Sequence, residues 1–398
     1  MNTDHSRTTG HTGLPLAGIR VLDLGIHRAG PHCSQILARL GAEVIKVESI
    51  HGEQARKDGV KWSEENNTKK SLAVNLRDPR GQKVVRALAR NADILVQNFR
   101  PGVMSAMNLD IQDLLRECPR LIIVSISAYG ADSTLRDLPG FDGIMQAASG
   151  MMYVNGLEGT PPLKFKSAIV DRMAGLHGAI GALAALQMRT VTGTGQSLDI
   201  SLCQTAYSII DLEMAEAVIT NKEPPRTGNR ASNPPINNAF QTRDGWLYVA
   251  TAGRQRMWEE MCRMIGKEEW LADPRFSTKD GLTAHVDLIE AELRAFFKDM
   301  TMADALSACL ARRIPASDVK TVLDAARSPY VSERDVHRYI ETPYGRAPVM
   351  GDPWHFSSAS VQVTNAPEVG QHTREVMMTV GSYTEQQIQQ LIEQGAIA

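Results

Sequence analysis

Cysteine is scarce in this 398-residue chain: Cys33, Cys118, Cys203, Cys262 and Cys309 are the only five, and no two share a CxxC spacing. That scatter excludes a zinc or iron–sulfur pattern and suits a reducing compartment, so no metal is expected. Excess charge of one sign is also missing. With 43 Lys and Arg against 45 Asp and Glu, the net charge of −2 supplies no long-range field for nucleic acid or an anionic membrane. No apolar run near the roughly 20 residues that span a bilayer stands out. The start, MNTDHSRTTGHTG, lacks the apolar stretch of a signal peptide. Residues 1–13 therefore read as a disordered tail, and the protein as soluble and cytoplasmic, with no nucleic-acid and no membrane partner.

Several catalytic signatures are missing too. The turn LGIHRAGP holds Gly25 and Gly30 but no G-x-G-x-x-G, although Glu48 ends the next strand 23 residues after Gly25; dinucleotide binding is not provided for. There is no G-x-x-x-x-G-K-[ST] phosphate loop, which argues against nucleotide triphosphate chemistry. Nor is there a G-x-S-x-G elbow, which argues against a serine hydrolase.

What is present is an alternation of short apolar strands with amphipathic helices. GIRVLDLG, EVIKVE, SLAVNL, DILVQNF and RLIIVSIS are separated by helical stretches such as PHCSQILARLGA and DPRGQKVVRALARNA. Five strands before residue 130 predict a doubly wound α/β fold with a parallel sheet. After GTGQSLDISL and an apolar helix, NKEPPRTGNRASNPP gathers Pro, Gly and Asn as a linker or active-site loop. AFQTRDGWLYVATA then reads as a hairpin turning at Asp244–Gly245, followed by helices, so a smaller α+β domain is expected. Short strands return after about residue 331, and TEQQIQQLIEQG reads as a last helix.

Candidate site residues each carry an ordinary reading beside a functional one. His27 and Arg28 lie in the turn after the first strand, as a solvated turn or as substrate contacts beside the amides of the helix near Pro31. Lys57, Lys61, Lys69, Lys70, Arg77 and Arg100 form either a solvated face or a phosphate rim. Asp171, in SAIVDRMAGLHGAIGALAAL, is placed to cap the helix that follows or to act as a nucleophile. Gly175, Gly178 and Gly181 recur at a spacing of three, although each costs about 1 kcal/mol relative to Ala inside a helix. They imply that a backbone or a ligand approaches one helix face. A helix N-terminus also favours the ionised carboxylate.

Several ungapped blocks in order give the chain a family resemblance: PLAGIRVLDLG with AGP at 29–31, LGAEVIKVE at 40–48, NADILVQNFRPG at 91–102, VDRMAGLHGAIGALAALQMR at 170–189 and TGTGQSLDISL at 192–202. Together they resemble the family III CoA-transferases. The resemblance implies an interlocked homodimer whose Rossmann-like large domain comes from both chain ends, here 14–222 and 331–398, with a linker and small domain at 223–330. It implies that Asp171 is the nucleophile, that acyl-CoA and a small carboxylic acid are the substrates, and that no permanent cofactor is needed. It assigns His27, Arg28 and Ala29 to the thioester end of coenzyme A, Asn98 and Phe99 to adenine, and Val74, Asn75 and Arg77 to the flanks of the nucleotide. Ser49, Ala106 and Pro139 replace basic residues of the family pattern, so phosphate contacts shift toward Lys69, Lys70, Arg77 or Arg100. GNRASNPP is the nearest substitute for the family's glycine-run loop. A related racemase needs a His where this chain has Phe141, followed by Asp142, and racemisation is the alternative activity. Arg28 suits the distal carboxylate of a dicarboxylic acid such as succinate.

Overall fold

The structure, a computed structural model, describes residues 13–230, 236–251, 253–342 and 345–398. Residues 1–12 of the expected tail, and 231–235 of the GNRASNPP loop, lie outside them. The chain forms two compact units, one built from residues up to Met151, Lys164–Asp211 and Ser332–Ala398, the other from Met152–Leu163 and Leu212–Val331.

The first unit is organised by six parallel strands: β1 (Arg20–Asp23), β2 (Glu43–Glu48), β3 (Lys70–Ala73), β4 (Ile94–Gln97), β5 (Ile122–Ser127) and β6 (Ser197–Ser201). Their order is β3-β2-β1-β4-β5-β6, with Val21 opposite both Val44 and Ile94. The apolar strands ILVQ and IIVSIS are buried on both faces, as parallel strands between helix layers must be. Burying Ile94, Leu95 and Val96 contributes about 1.5–3 kcal/mol each. From β1 the chain winds outward through β2 to β3, then returns to place β4 on the other side of β1. Loops leaving β1 and β4 therefore diverge, opening a crevice at the carboxyl ends of the strands.

The helices up to residue 220 are α1 (Ala29–Arg39), α2 (Gly59–Asn66), α3 (Pro79–Ala89), α4 (Val103–Ala106), α5 (Ile111–Glu117), α6 (Asp142–Ala148), α7 (Met151–Val154), α8 (Ile169–Thr192), α9 (Leu202–Ile209) and α10 (Asp211–Thr220), of which α7 and α10 fall almost wholly in the second unit. By length and composition alone, α8 could cross a membrane, which corrects the expectation that no stretch qualifies. Its Gly and Ala content hid its length as an apolar segment. Val170, Ala174, Gly175, Gly178, Ala179, Ala182 and Ala185 are buried, and the glycines explain the fit. A Cβ on Gly175 would lie 2.8 Å from the Ala29 carbonyl oxygen, and one on Gly178 3.1 Å from Cys33 Sγ. The close neighbour that the glycine spacing implied is α1.

The second unit holds the antiparallel strands β7 (Asn237–Gln241), β8 (Trp246–Ala250) and β9 (Ala316–Asp318), in the order β7-β8-β9. The expected hairpin is there, its loop closed by the Thr242 amide donating to the Gly245 carbonyl. Helices α11 (Gln255–Met264), α12 (Lys279–Ala284), α13 (Val286–Phe297), α14 (Met302–Ala311) and α15 (Val322–Ala326) follow, around a core of Phe240, Leu247, Trp258, Trp270, Phe276 and Phe297. After α16 (Pro329–Glu333), the hairpin β10 (His337–Thr342) and β11 (Gly345–Met350) leads to α17 (Thr373–Thr379) and α18 (Glu385–Glu393). These return to the first unit. The His372 and Ala398 amides donate to the Ser71 and Ala73 carbonyls, and the Asn75 amide to the Ala396 carbonyl, so the last residues lie along the outer side of β3.

Candidate active site

The turn that leaves β1 is held almost atom by atom. The Gly25 amide donates to Asp23 Oδ1 at 2.8 Å, and the Gly25 carbonyl accepts from the buried Lys46 ammonium. Asn98, just past β4, takes both polar groups of Ile26: its Oδ1 accepts from the amide at 2.7 Å, and its Nδ2 donates to the carbonyl at 2.9 Å. The His27 amide donates to Glu53 Oε1 at 2.8 Å. His27 has φ 63°, a left-handed conformation that costs a non-glycine residue about 1–2 kcal/mol. A Cβ on Gly25 would lie 2.8 Å from Gly30 Cα, and the reverse also holds, so these glycines let the turn fold onto itself. Arg28 is the N-cap of α1 but offers no side-chain cap, so the first amides of the helix keep no intrahelical partner.

Asp171 sits in the first turn of α8, but it is not the cap. Ala168 occupies that position without a side-chain hydrogen bond. The capping acid comes from another helix: Asp142 Oδ2 accepts from the Val170 amide at 2.8 Å and the Asp171 amide at 3.3 Å, while Oδ1 accepts from Gln146 Nε2 at 2.6 Å. This overturns the capping reading of Asp171 and leaves its own carboxylate unoccupied by that task. Burial, and then the charge of Asp142, push the Asp171 carboxyl up from 3.8 to about 6, while Arg28 and Lys61 pull it down. The N-terminal amides were expected to favour its charge; loss of water and the neighbouring acid outweigh them.

Two cavities flank the turn. The smaller, about 310 Å³, is lined by Asp171, His27, Arg28, Ala29, Asn98, Phe99 and Arg100, with Arg136, Leu138 and Phe141 completing its wall. The larger, about 920 Å³, is lined by Val74, Asn75 and Arg77, by Ser49 and His51, and by Gln82, Ala106 and Met107. Ile26, His27 and Phe99 border both. Asp171, His27, Arg28, Ala29, Val74, Asn75, Arg77, Asn98, Phe99 and Arg100 thus each line one of two adjoining cavities. Among the described residues, Arg77 is the only Arg or Lys lining the larger one.

Two proposed phosphate ligands are placed elsewhere. Lys69 is wholly buried, with Nζ bonded to Asp23 Oδ2, the Pro31 carbonyl, Ser34 Oγ and Asn66 Oδ1 at 2.9–3.0 Å. Lys70 pairs with Glu43 and Glu375 at 2.8 and 2.7 Å. Arg28 is not free either, since its guanidinium lies 3.5 Å from Glu65, a buried acid also 3.7 Å from His32 and Arg172. Burial raises the Glu65 carboxyl and lowers His32 to about 3, so His32 is neutral at physiological pH.

Reading the sequence missed Glu53, Glu65 and Arg136, and placed Lys61 in a solvated face or a phosphate rim. Asp142 had been noted solely as the residue after Phe141. Its carboxylate is engaged in the cap and with Gln146, and Phe141, the position that the resemblance matches to a racemase histidine, is a 66 % exposed apolar side chain. No paired base of that kind is assembled here. Among the described residues no cluster of three or more His, Cys, Asp or Glu could hold a metal ion. The arrangement is that of a desolvated carboxylate facing an apolar chamber rimmed by guanidinium groups and bare helix amides, suited to attack on an electrophilic carbonyl.

Comparison with known proteins gives the same direction. The sequence pattern of CoA-transferase family III matches residues 16–373. The chain is 30 % identical to the succinyl-CoA–D-citramalate CoA-transferase of Chloroflexus aurantiacus, over 95 % of this chain and 96 % of that one. It is 29 % identical to the succinyl-CoA–L-malate CoA-transferase beta subunit of the same organism, over 96 % and 97 %. A CAIB/BAIF family protein from Brucella suis superposes with a TM-score of 0.82 at 28 % identity, covering 92 % of this chain and 99 % of that one.

Proposed function

Because the chain belongs to CoA-transferase family III and is therefore a CoA-transferring enzyme, we propose that it moves coenzyme A from an acyl-CoA thioester to a free carboxylic acid through Asp171. The supporting observation is the half-buried Asp171 carboxylate, with its proton affinity raised to about 6, in a chamber that adjoins a larger cavity across the His27 turn.

In this reading an Asp171 oxygen attacks the thioester carbonyl carbon, the C–S bond breaks, and a mixed anhydride and CoA thiolate result. The thiolate attacks the Asp171 acyl carbon, releases the donor acid and leaves an aspartyl-CoA thioester. The acceptor carboxylate then displaces the thiolate, forming a second anhydride, and the thiolate attacks its acceptor-derived carbonyl, regenerating Asp171. One thioester is exchanged for another, so the energy of the bond is conserved. Each attack builds an oxyanion, for which the amides at the start of α1, without a side-chain cap, are candidate donors. A carboxylate with a raised pKa is a better nucleophile than an ordinary one, and near pH 7 it is still mostly ionised.

His27, Arg28 and Ala29 are proposed to meet the thioester, Phe99 the adenine end, and Val74, Asn75 and Arg77 the nucleotide. The Asn98 amide groups hold Ile26, so Asn98 acts through the turn. Arg28, Arg100 and Arg136 in one small chamber support a dicarboxylate substrate, with succinyl-CoA the first donor to try. A cytoplasmic homodimer fits the five free, buried cysteines and α10, which buries no residue and leaves Val218 and Ile219 about four-fifths exposed.

The test is to supply succinyl-CoA with a panel of acids, trap with hydroxylamine or borohydride, and map the modified peptide. Label on Asp171, with transfer abolished in Asp171→Asn, supports the proposal; an active preparation with Asp171 unlabelled sinks it. Solvent deuterium entering a 2-methylacyl-CoA, with no CoA transferred, would instead indicate racemisation.

A further inference from the structure

The turn between β1 and α1 is the wall shared by both cavities, and its most strained residue is tied to a charge that the reaction does not use. Glu53 Oε1 accepts from the His27 amide at 2.8 Å, and Oε2 forms an ion pair with Lys46 Nζ at 2.9 Å. Lys46 lies on β2, has no solvent exposure, and donates also to the Gly25 carbonyl. Burial acts to lower its proton affinity, but Asp23 and Glu53 outweigh burial and hold it above the ordinary lysine value. The Glu53 amide donates to Glu48 Oε2 at 3.1 Å, and that carboxylate is itself bound by Arg56 and Ser71. One buried lysine thus fixes the turn twice, directly at Gly25 and through Glu53 at His27.

We infer that Glu53, set by Lys46, is a positioning residue that holds His27 in its left-handed conformation and so aims the start of α1 at the carboxylate of Asp171. A carboxylate bond to an amide is about twice as strong as a neutral one, enough to offset a left-handed histidine. Release of His27 lets the turn relax toward ordinary φ, which rotates the peptide planes leading into Arg28 and Ala29. These residues line the chamber with Asp171, and the Ala29 carbonyl packs where Gly175 leaves room. The inference rests on the proposed transfer reaction for its catalytic consequence.

The test separates positioning from plain stability. Replacing a buried ion pair by apolar residues of similar volume is often neutral for folding, whereas removing one partner is costly. Lys46→Met/Glu53→Leu should therefore melt near the wild type, yet lose about 10²-fold in kcat, with KM for acyl-CoA changed less than about threefold, as expected for misplacement on the order of 1 Å. Glu53→Gln, which keeps an acceptor for His27 but leaves the buried Lys46 charge with Asp23 as its counter-charge, should melt lower and lose less kcat. Hydrogen exchange of the peptide covering residues 24–32 should quicken in the double variant and much less in Glu53→Gln. Activity that follows melting temperature, or unchanged kcat and exchange in the double variant, overturns the inference. Should the double variant not fold, Glu53→Asp decides: it keeps the charge for Lys46 but withdraws the oxygen from His27, and wild-type kcat there refutes positioning. If the wild type transfers no CoA to any acid tested, the reaction is wrong, and the exchange experiment still judges the clamp.

Discussion

Asp171→Asn should make the folded protein more stable, and only at pH values where the aspartate is charged. In the wild type, burial and the Asp142 charge push the carboxyl from 3.8 to about 6. That shift of about two units means that ionising Asp171 costs the folded state ~3 kcal/mol. For an acid whose pKa is raised by folding, the native state holds the extra proton between pH 4 and 6. Stability therefore falls as pH rises through that window and stays lower above it. Asparagine has the shape of the protonated acid and carries no charge, so it removes this slope. The variant should gain up to ~3 kcal/mol at pH 8, about 6 °C at roughly 2 °C per kcal/mol for a large domain, and almost nothing at pH 4. Melting curves of both proteins from pH 4 to 8, read on the transition of the unit that holds the sheet, measure the difference. A variant no more stable at pH 8, or a gain that does not shrink on acidification, refutes the reasoning. The same titration predicts an acid limb near pH 6 in wild-type kcat/KM, because only the ionised form attacks.

Further substitutions probe how Asp171, the proposed nucleophile, is held. Gly175→Ala forces a methyl against the Ala29 carbonyl and the Cys33 amide, 2.8 and 3.1 Å away, so α1 and α8 must part at a cost of about 1–3 kcal/mol; Gly181→Ala meets only the Leu198 side chain and should be neutral or stabilising. Comparing melting temperature and specific activity of the two proteins checks this, and equal effects would show that close helix approach is not what the glycines serve. Asp142→Asn removes the charge that raises Asp171 and weakens the cap on α8, so the acid limb of kcat/KM should move to lower pH while stability drops by about 1 kcal/mol.

Local signals were enough for the sheet. β1 to β5 are short apolar runs separated by amphipathic helices, and that period can be read without any tertiary information. Asp171 could be singled out, but its capping role was misjudged, because the N-cap preference of aspartate is a statement about neighbours in sequence. Asp142 reaches the same amides from 28 residues away. Lys69 and Lys70 are placed away from the expected phosphate rim for a related reason. They are adjacent in sequence, but a strand sends successive side chains to opposite faces. Lys69 is buried against Asp23, while Lys70 reaches toward Glu43 and Glu375. Glu53 and Glu65 were invisible because only the fold reveals that a single glutamate is buried beside the turn or beneath two arginines.

The strip of chain along β3 also sets a timetable. All six strands exist once residue 201 has been made, yet the partners of the outer β3 groups, residues 372–398, are synthesised roughly 170 residues later. At about 5–20 residues per second that is an interval of roughly 10–30 s. During it Ser71 and Ala73 present an unpaired edge to any passing strand, the circumstance in which sheets recruit wrong partners. Asn75, a wall of the larger cavity, has its amide bonded to the Ala396 carbonyl, so that cavity is among the last parts of the molecule to mature. A ribosome-bound chain halted after β6 would carry Asp171, the capping acid Asp142 and the β1–α1 turn, but not the completed larger cavity.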